Sequence, residues 1–408
     1  MKIALLSFEY PPETGFGGIG TYTWYHARAL VRLGHEVHVL AGATTPTLLR
    51  TSDHDGVVVH RFHATGGLMR AFKGVGKVRL WWTRQRLENA LSMHRGLKQL
   101  MRDHTFDVLE MPECGAEGAL LNALTRTPTV VRLHSPSQLI MPFYDVSALD
   151  TVLCSRLEQR AIRSATAISS CSQFLADAAA SELQLPGPAR VIPNGLDLLL
   201  FDRAASEARS PIEMPRDRLT ILFAGRMERR KGIHLCPEIA ASILERFDVS
   251  FVFAGSDLFH YVDQTLRPYL ASRTLKGSVQ FVGQQSLEQM RALVSRADIF
   301  LLPSLWENCP YSCLEAMAAG RAIVSSDQGG MPELIRHEQN GLLAASGDAD
   351  SFIEQLERLI AGEALRLRLG AAARQTVQES FTDDRVAHMS VEYYRELNGG
   401  MLGDDSRT

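Results

Sequence analysis

The chain has 408 residues, too many for one compact core and about the length of two domains. It is 45% hydrophobic and 22% charged, with 31 glycines and 17 prolines. These values exclude a disordered, collagen-like or coiled-coil chain, and the net charge of −3 excludes a dedicated nucleic-acid binder.

The first apolar run, residues 3–6, ends before Glu9 and Pro11-Pro12. It is too short for a leader or a membrane span, and no later stretch approaches about 20 apolar residues. The six cysteines are scattered, with no C-x-x-C pair and no histidine cluster at zinc spacing. Neither a disulfide framework nor a structural zinc is expected, and a cytoplasmic setting, at most at the inner face of a membrane, suits the chain.

Residues 2–7 read as a buried strand, followed by a glycine-rich turn and a helix over about 19–33 that Gly34 stops. Further strands are expected at 36–40, 57–62, 107–110, 129–133 and 165–169. This is the alternation of a parallel sheet with helices on both faces. Composition breaks after Phe201, and residues 202–218, polar and carrying Pro211 and Pro215, read as a linker. The alternation then restarts with strands at 219–224, 249–254, 278–282, 298–302 and 322–325. Two doubly wound α/β domains in tandem follow, divided at 201/202, with residues 399–408 as a flexible tail.

The window 68–102 holds Arg70, Lys73, Lys77, Arg79, Arg84, Arg86, Arg95, Lys98 and Arg102 against the single acid Glu88, with Phe72, Trp81 and Trp82 interleaved. It fits an anionic membrane surface or a lipid-linked or phosphorylated acceptor. It equally fits a solvated helix face whose tryptophans are core.

Gly15-Phe16-Gly17-Gly18-Ile19-Gly20 satisfies the dinucleotide pattern G-x-G-x-x-G. Two prolines stretch the loop between strand and glycines, and the second strand ends without a carboxylate for a ribose hydroxyl, both against that reading. The glycines still allow backbone N–H groups to approach an anion at a helix start. A plain flexible turn stays open on the same residues.

Gly225-Arg226-Met227-Glu228-Arg229-Arg230-Lys231-Gly232 follows the first strand of the second half, at the strand end where open α/β sheets take ligands. Arg226 offers a fork of donors and Lys231 a point charge, suited to a diphosphate; a solvated basic turn is the plainer reading. After the strand at 298–302, Glu307 and Glu315 stand eight apart, the first in a loop and the second in a helix. A carboxylate in such a position can accept hydrogen bonds from a ribose diol, each worth about 1.5–3 kcal/mol. Asp348-Ala349-Asp350 matches D-x-D, but Asp350 is expected to cap a helix rather than bind a metal.

The order of these segments, with Gly34-His35-Glu36-Val37, Ile192-Pro193-Asn194-Gly195-Leu196-Asp197, Gly329-Gly330 and Asn340-Gly341-Leu342, resembles glycosyltransferase family 4, retaining enzymes of the GT-B fold. The resemblance implies two Rossmann-like domains facing across a cleft: an acceptor-side domain, 1–201 with a helix at about 383–398 crossing back onto it, and a nucleotide-sugar domain, 202–382. It implies that Arg226 and Lys231 neutralise the donor diphosphate and that Glu315 holds the ribose. Glu307 would contact the transferred sugar with the amides of Asn308, Cys309, Tyr311 and Ser312 nearby. Gly17 and Gly18 would approach the donor phosphates, and His134, at a strand end, would stand beside the reaction centre. Pro310 replaces a glycine common in the family and so removes one backbone donor. The implied chemistry is retaining hexosyl transfer from a nucleotide-diphosphate sugar to a hydroxyl of a polysaccharide, glycolipid or metabolite, with no cofactor and no metal. The residues leave open an NAD-dependent oxidoreductase using the Gly15–Gly20 loop, or a GT-B nucleotide-sugar epimerase.

Overall fold

The computed structural model describes residues 1–15, 17–45, 49–63, 80–121, 124–207, 210–214 and 217–402. The chain divides into two compact units, Met1–Gly195 with Asp383–Thr408, and Leu196–Thr382.

The first unit carries an eight-stranded sheet: β1 (Lys2–Leu6), β2 (Glu36–Gly42), β3 (Arg50–His54), β4 (Val57–Phe62), β5 (Val108–Pro112), β6 (Thr129–Leu133), β7 (Ala167–Ser170) and β8 (Arg190–Val191), in the order β3-β4-β2-β1-β5-β6-β7-β8. All pairings are parallel except β3 with β4. The central parallel strands β1, β5 and β6 are buried on both faces, which is why they read as continuous apolar runs. On one face, Ile3, Leu5, Val37, Val39, Val57 and Val108 pack with Ala27 and Leu30 of helix α1 (Gly18–Arg32) and with Val386, Val391 and Tyr394 of the terminal helix Asp383–Leu402. Helix α2 (Trp81–Leu100) lies on the other face, where a side chain at Gly96 would meet Leu40 at 3.3 Å.

Gly34 stops α1 in the left-handed region at φ +82°, and its N–H bonds the carbonyl of Val31 at 2.9 Å. The terminal helix is tied to α1 by Arg32, which reaches Asp383 at 2.7 Å and Asp384 at 2.8 Å. Deeper in, the hydroxyls of Tyr22 and Tyr394 donate to the two oxygens of buried Glu110 at 2.7 and 2.6 Å. Arg132 lies 3.9 Å from the Tyr22 ring and donates to the carbonyls of Ile192 and Pro193 and to Asn194 Oδ1. The Pro193-Asn194-Gly195 segment is thereby fixed to the sheet it leaves.

The second unit is built on a six-stranded parallel sheet: β9 (Thr220–Ala224), β10 (Ser250–Ala254), β11 (Ser278–Gly283), β12 (Ile299–Leu302), β13 (Ala322–Ser326) and β14 (Leu342–Ala344), in the order β11-β10-β9-β12-β13-β14. Its core runs through Phe223, Phe251, Phe253, Leu301 and Val324 to the covering helices.

The structure corrects four readings of the sequence. The division falls after Gly195 rather than at 201/202. Residues expected as linker begin instead inside a helix, Leu198–Glu207, which holds Phe201 buried at 1% exposure and pairs Asp202 with Arg374 at 2.7 Å. The cap at 348–350 is Asp348, not Asp350: its carboxylate accepts the N–H groups of Asp350 and Ser351 at the start of Ala349–Ala361. Within the basic window, Arg86 is no surface charge. It is buried and paired with buried Glu158 at 2.6 Å, with Ser137 as a further acceptor. Residues 68–79 of that window, and 403–408 of the expected tail, lie outside the described residues.

Candidate active site

In an open parallel sheet, ligands bind beyond the strands' carboxyl ends where the strand order reverses. In the second sheet that point lies between β9 and β12. The loops leaving these two strands are 225–232 and 303–310, the two segments singled out from the sequence. Glycines let them approach each other. Gly232 has φ +76°, and a Cβ there would strike the Pro303 carbonyl at 1.9 Å. Gly329, after β13, has φ +73°, and a Cβ there would lie 2.1 Å from the Glu307 carbonyl oxygen. The N–H of Gly330 instead donates to that carbonyl at 2.8 Å.

The side chains of these loops form one ionic cluster. Lys231 Nζ is paired directly with Glu307 Oε1, which also accepts from Ser304 Oγ at 3.3 Å. Arg230 reaches Glu307 Oε2 at 3.5 Å and donates to the Trp306 carbonyl at 3.1 Å. Glu228 bridges Arg230 at 3.1 Å and Arg226 at 3.0 Å. Lys231 and Glu307 are nearly enclosed, whereas the Arg226 side chain is 51% exposed. Burial pushes the Glu307 carboxyl up, but the charges of Lys231 and Arg230 with the hydrogen bonds of Lys231 and Ser304 outweigh it, leaving it below the ordinary carboxylate range. Burial draws the Lys231 ammonium down, against the pull of Glu307.

Helix α3 (Tyr311–Ala318) follows, with Pro310 as its N-cap residue. Its first intrahelical bonds are donated by Cys313 and Leu314 to the Pro310 carbonyl. Asn308, Cys309 and Tyr311 are buried, and Ser312 is half-buried. Glu315 is not joined to the cluster. It is 6% exposed, no hydrogen bond to its carboxylate is found among the described residues, and the charge that acts on it is that of Arg291. Burial pushes its pKa up to about 7. The structure thus brings Arg226, Lys231 and Glu307 together and leaves Glu315 apart on the helix that follows. Sequence reasoning missed Glu228 and Arg230, which hold the cluster's geometry. Their signal was position: they sit inside the same strand-end loop as the two cations that were chosen.

The first unit has its own reversal point, between β1 and β5. Gly17 is the N-cap residue of α1, with Gly18 opening the helix. The carboxylate of Glu9 occupies this helix start, accepting the Gly20 N–H at 3.4 Å, and a Cβ at Gly17 would lie 3.0 Å from Glu9 Oε2. The glycines therefore wrap a carboxylate of the chain itself. His134 follows β6 and is buried, its pKa held well below the usual histidine value by burial and by Arg132. It lines a cavity of about 10 Å³, room for one water, with Ser7, Tyr22, Glu110 and Arg132. Its backbone N–H donates to Glu113, as does that of Ser135. Glu113 is fully buried, and burial followed by the charge of Glu158 pushes its pKa up to about 8. The sequence reading passed over Glu113, although it directly follows a strand at the reversal point.

Two doubly wound units, with a charged cluster at the second unit's reversal point, make an α/β architecture whose ligand site lies at the strands' carboxyl ends. The comparisons agree. A model of glycosyl transferases group 1 matches residues 205–376, and one of Glycosyltransferase Family 4 matches residues 16–199. An uncharacterized glycosyltransferase of Methanocaldococcus jannaschii is 28% identical over 405 residues, covering 97% of this chain and 98% of that protein. Among solved structures, sucrose-phosphate synthase from Thermosynechococcus elongatus superposes with a TM-score of 0.79 at 21% identity, covering 98% of this chain and all of that one. HepE of Anabaena in complex with UDP-glucose gives a TM-score of 0.70 at 18% identity, over 97% of this chain and all of that one. The chain belongs to the family-4 glycosyltransferases of the GT-B fold. The oxidoreductase alternative falls with this result: the Gly15–Gly20 loop encloses Glu9, and the family models span both halves of the chain.

Proposed function

We propose that this glycosyltransferase moves a hexosyl group, with retention of anomeric configuration and without a metal, from a nucleotide-diphosphate sugar to a hydroxyl acceptor. The observation that carries the proposal is the ionic cluster of Arg226, Arg230 and Lys231 with Glu228 and Glu307, seated where the second sheet reverses. Three cations against two acids leave a positive excess for a diphosphate, and the 51%-exposed Arg226 is the member best placed to meet it.

As the bond from the anomeric carbon to the diphosphate oxygen breaks, negative charge grows on the leaving group. Lys231 and Arg226 stabilise it in place of a divalent ion. The acceptor oxygen bonds the anomeric carbon on the same face, and its proton passes to the departing phosphate oxygen. Glu307 takes hydroxyls of the transferred sugar and Glu315 the ribose diol, with the amides of Asn308, Cys309, Tyr311 and Ser312 on the sugar or phosphate. His134, held neutral, orients sugar or acceptor by hydrogen bonding. Gly17 and Gly18 contact the donor phosphates only if the Glu9 carboxylate is displaced. Exposed Arg95, Lys98 and Arg102 favour an anionic or lipid-linked acceptor in polysaccharide or glycolipid synthesis. No described helix is long and apolar enough to cross a membrane.

The test is a hydrolysis and transfer screen over UDP-, GDP- and ADP-sugars in excess EDTA, with NMR of the earliest product. Turnover of one donor class with the retained anomer is expected. An inverted anomer overturns retention, and loss of activity in EDTA restored by manganese overturns metal independence.

A further inference from the structure

At the amino-terminal ends of the first sheet's strands, away from the ligand loops, lies a second cluster of ionisable side chains. Glu36 and His38 are two apart on β2 and therefore share a face. His60 on β4 joins them, because Leu40 pairs with His60 and His38 with Val58. His104, from the loop before β5, brings its ring centroid to 4.6 Å from that of His38. Lys2 on β1 pairs with Glu36 in register.

The contacts show what this spot attracts. Lys2 Nζ is 2.8 Å from Glu36 Oε1 and 2.9 Å from His104 Nδ1, so two groups already converge on one internal cation. His38 Nε2 lies 3.0 Å from the same Glu36 oxygen. One ligand atom from each of Glu36, His38 and His104 falls within 4.8 Å of the others. A tetrahedral ion with bonds of about 2.0–2.1 Å needs ligand atoms roughly 3.3 Å apart, so modest side-chain rotation closes the set.

We propose that Glu36, His38 and His104 bind a divalent transition ion of the zinc, cobalt or nickel kind, displacing the Lys2 ammonium. Two imidazoles and one carboxylate make a nitrogen–oxygen donor set suited to such ions and poorly suited to magnesium.

The outer hydrogen bonds are built for it. His38 Nδ1 is 2.9 Å from His60 Nε2, and His60 Nδ1 is 3.0 Å from Thr51 Oγ1. Without an ion, His38 Nε2–H donates to Glu36, so His38 Nδ1 accepts from His60 and His60 accepts from Thr51. With an ion on His38 Nε2, the tautomer reverses: His38 Nδ1–H donates to His60, and His60 donates to Thr51. Each arrangement satisfies every nitrogen in the chain, and the second is the support that orients a ligating histidine. The four contributors lie on β2, β4 and the loop before β5, so no spacing in the sequence announces them. The absence of zinc-spaced histidines in the sequence therefore does not argue against the site.

The experiment is calorimetric titration of metal-stripped full-length protein with zinc chloride, and separately with magnesium chloride. Wild type is expected to take one zinc per chain and no magnesium. The double variant Glu36→Gln/His104→Gln, changing two residues that are not fully buried, should keep its circular dichroism spectrum and bind zinc at least 100-fold more weakly. Lys2→Gln removes the competing cation and should bind several-fold more tightly, a gain that a purely structural lysine would not produce. The visible spectrum with cobalt, free of thiolate charge-transfer bands, separates this site from binding at the cysteines. Failure of wild type to bind zinc, or unchanged binding in the folded double variant, overturns the proposal.

Discussion

Glu315→Gln should make the second unit more stable at alkaline pH while weakening its grip on donor. The buried carboxyl of Glu315 titrates at about 7, against an ordinary value of 4.5, because burial disfavours its charge more than Arg291 favours it. At about 1.4 kcal/mol per pKa unit, that rise amounts to about 3 kcal/mol. The sign is fixed by proton uptake. Between pH 4.5 and about 7 the folded chain holds a proton that the unfolded chain releases, so stability falls as pH rises through this window and levels off above it. Glutamine carries no such loss. The variant is therefore expected to match wild type near pH 4.5 and to exceed it by about 3 kcal/mol at pH 8. Equilibrium urea unfolding at the two pH values, read by pulsed hydrogen exchange on peptides from β9 and β12 with all pulses at one pH, measures the difference in the right unit. An equal difference at both pH values, or a less stable variant at pH 8, would refute the reasoning. On the proposed ribose role of Glu315 the same variant loses a charged acceptor, and a rise in donor KM of about tenfold to 10²-fold is expected, as one such bond is worth about 1.5–3 kcal/mol.

On the proposed mechanism Lys231→Met removes a preorganised cation from the leaving group and is expected to lower kcat by about 10²–10³-fold; steady-state kinetics showing less than a tenfold loss would place the diphosphate elsewhere. Tyr394→Phe deletes the hydroxyl that donates to buried Glu110 at 2.6 Å. It should destabilise the first unit by about 1.5–3 kcal/mol, measured by chemical unfolding, with kcat unchanged.

Much of this architecture is legible in the sequence because parallel strands buried on both faces leave apolar runs that few other structures produce. Strands β1, β9 and β12 were placed within a residue or two for that reason. β3, Arg-Thr-Ser-Asp-His, was not, because an edge strand with exposed side chains carries no apolar signal. Its signal lay in the turn: Asp55 and Gly56, at φ +56° and +84°, are the Asp-Gly pair of a tight hairpin. The second-unit site was legible as two strand-end loops, since glycine-lined loops with clustered charge stand out. What joins them was not, because nothing in the spacing of Glu228, Arg230 and Glu307 says that one arginine reaches both acids. Arg86 misled for the opposite reason. Its neighbours in the sequence are basic, and its true partner, Glu158, lies on a different helix.

The proposed phosphate role of Lys231 raises the question of why this lysine should be held by Glu307 at all. One answer is position: a buried lysine without a partner sheds its proton or swings out. The other is charge balance. Arg226, Arg230 and Lys231 against Glu228 and Glu307 carry a net of +1, and on the proposed role that excess attracts a diphosphate without trapping the product. Glu307→Gln separates these roles: it keeps the side chain's shape and raises the net to +2 where Lys231 keeps its proton, whereas a Lys231 that sheds its proton leaves the net at +1. For charges about 6 Å apart at an effective dielectric of about 20, the removed repulsion is about 1–3 kcal/mol after screening. Binding of the free nucleoside diphosphate should then tighten about tenfold or more. Stability should fall, because Lys231 is left buried without its acid, and kcat should drop with the lost sugar contact. Weaker diphosphate binding, measured by calorimetry on the folded variant, would mean that Glu307 serves chiefly to place Lys231 and that charge balance is not what the acid supplies.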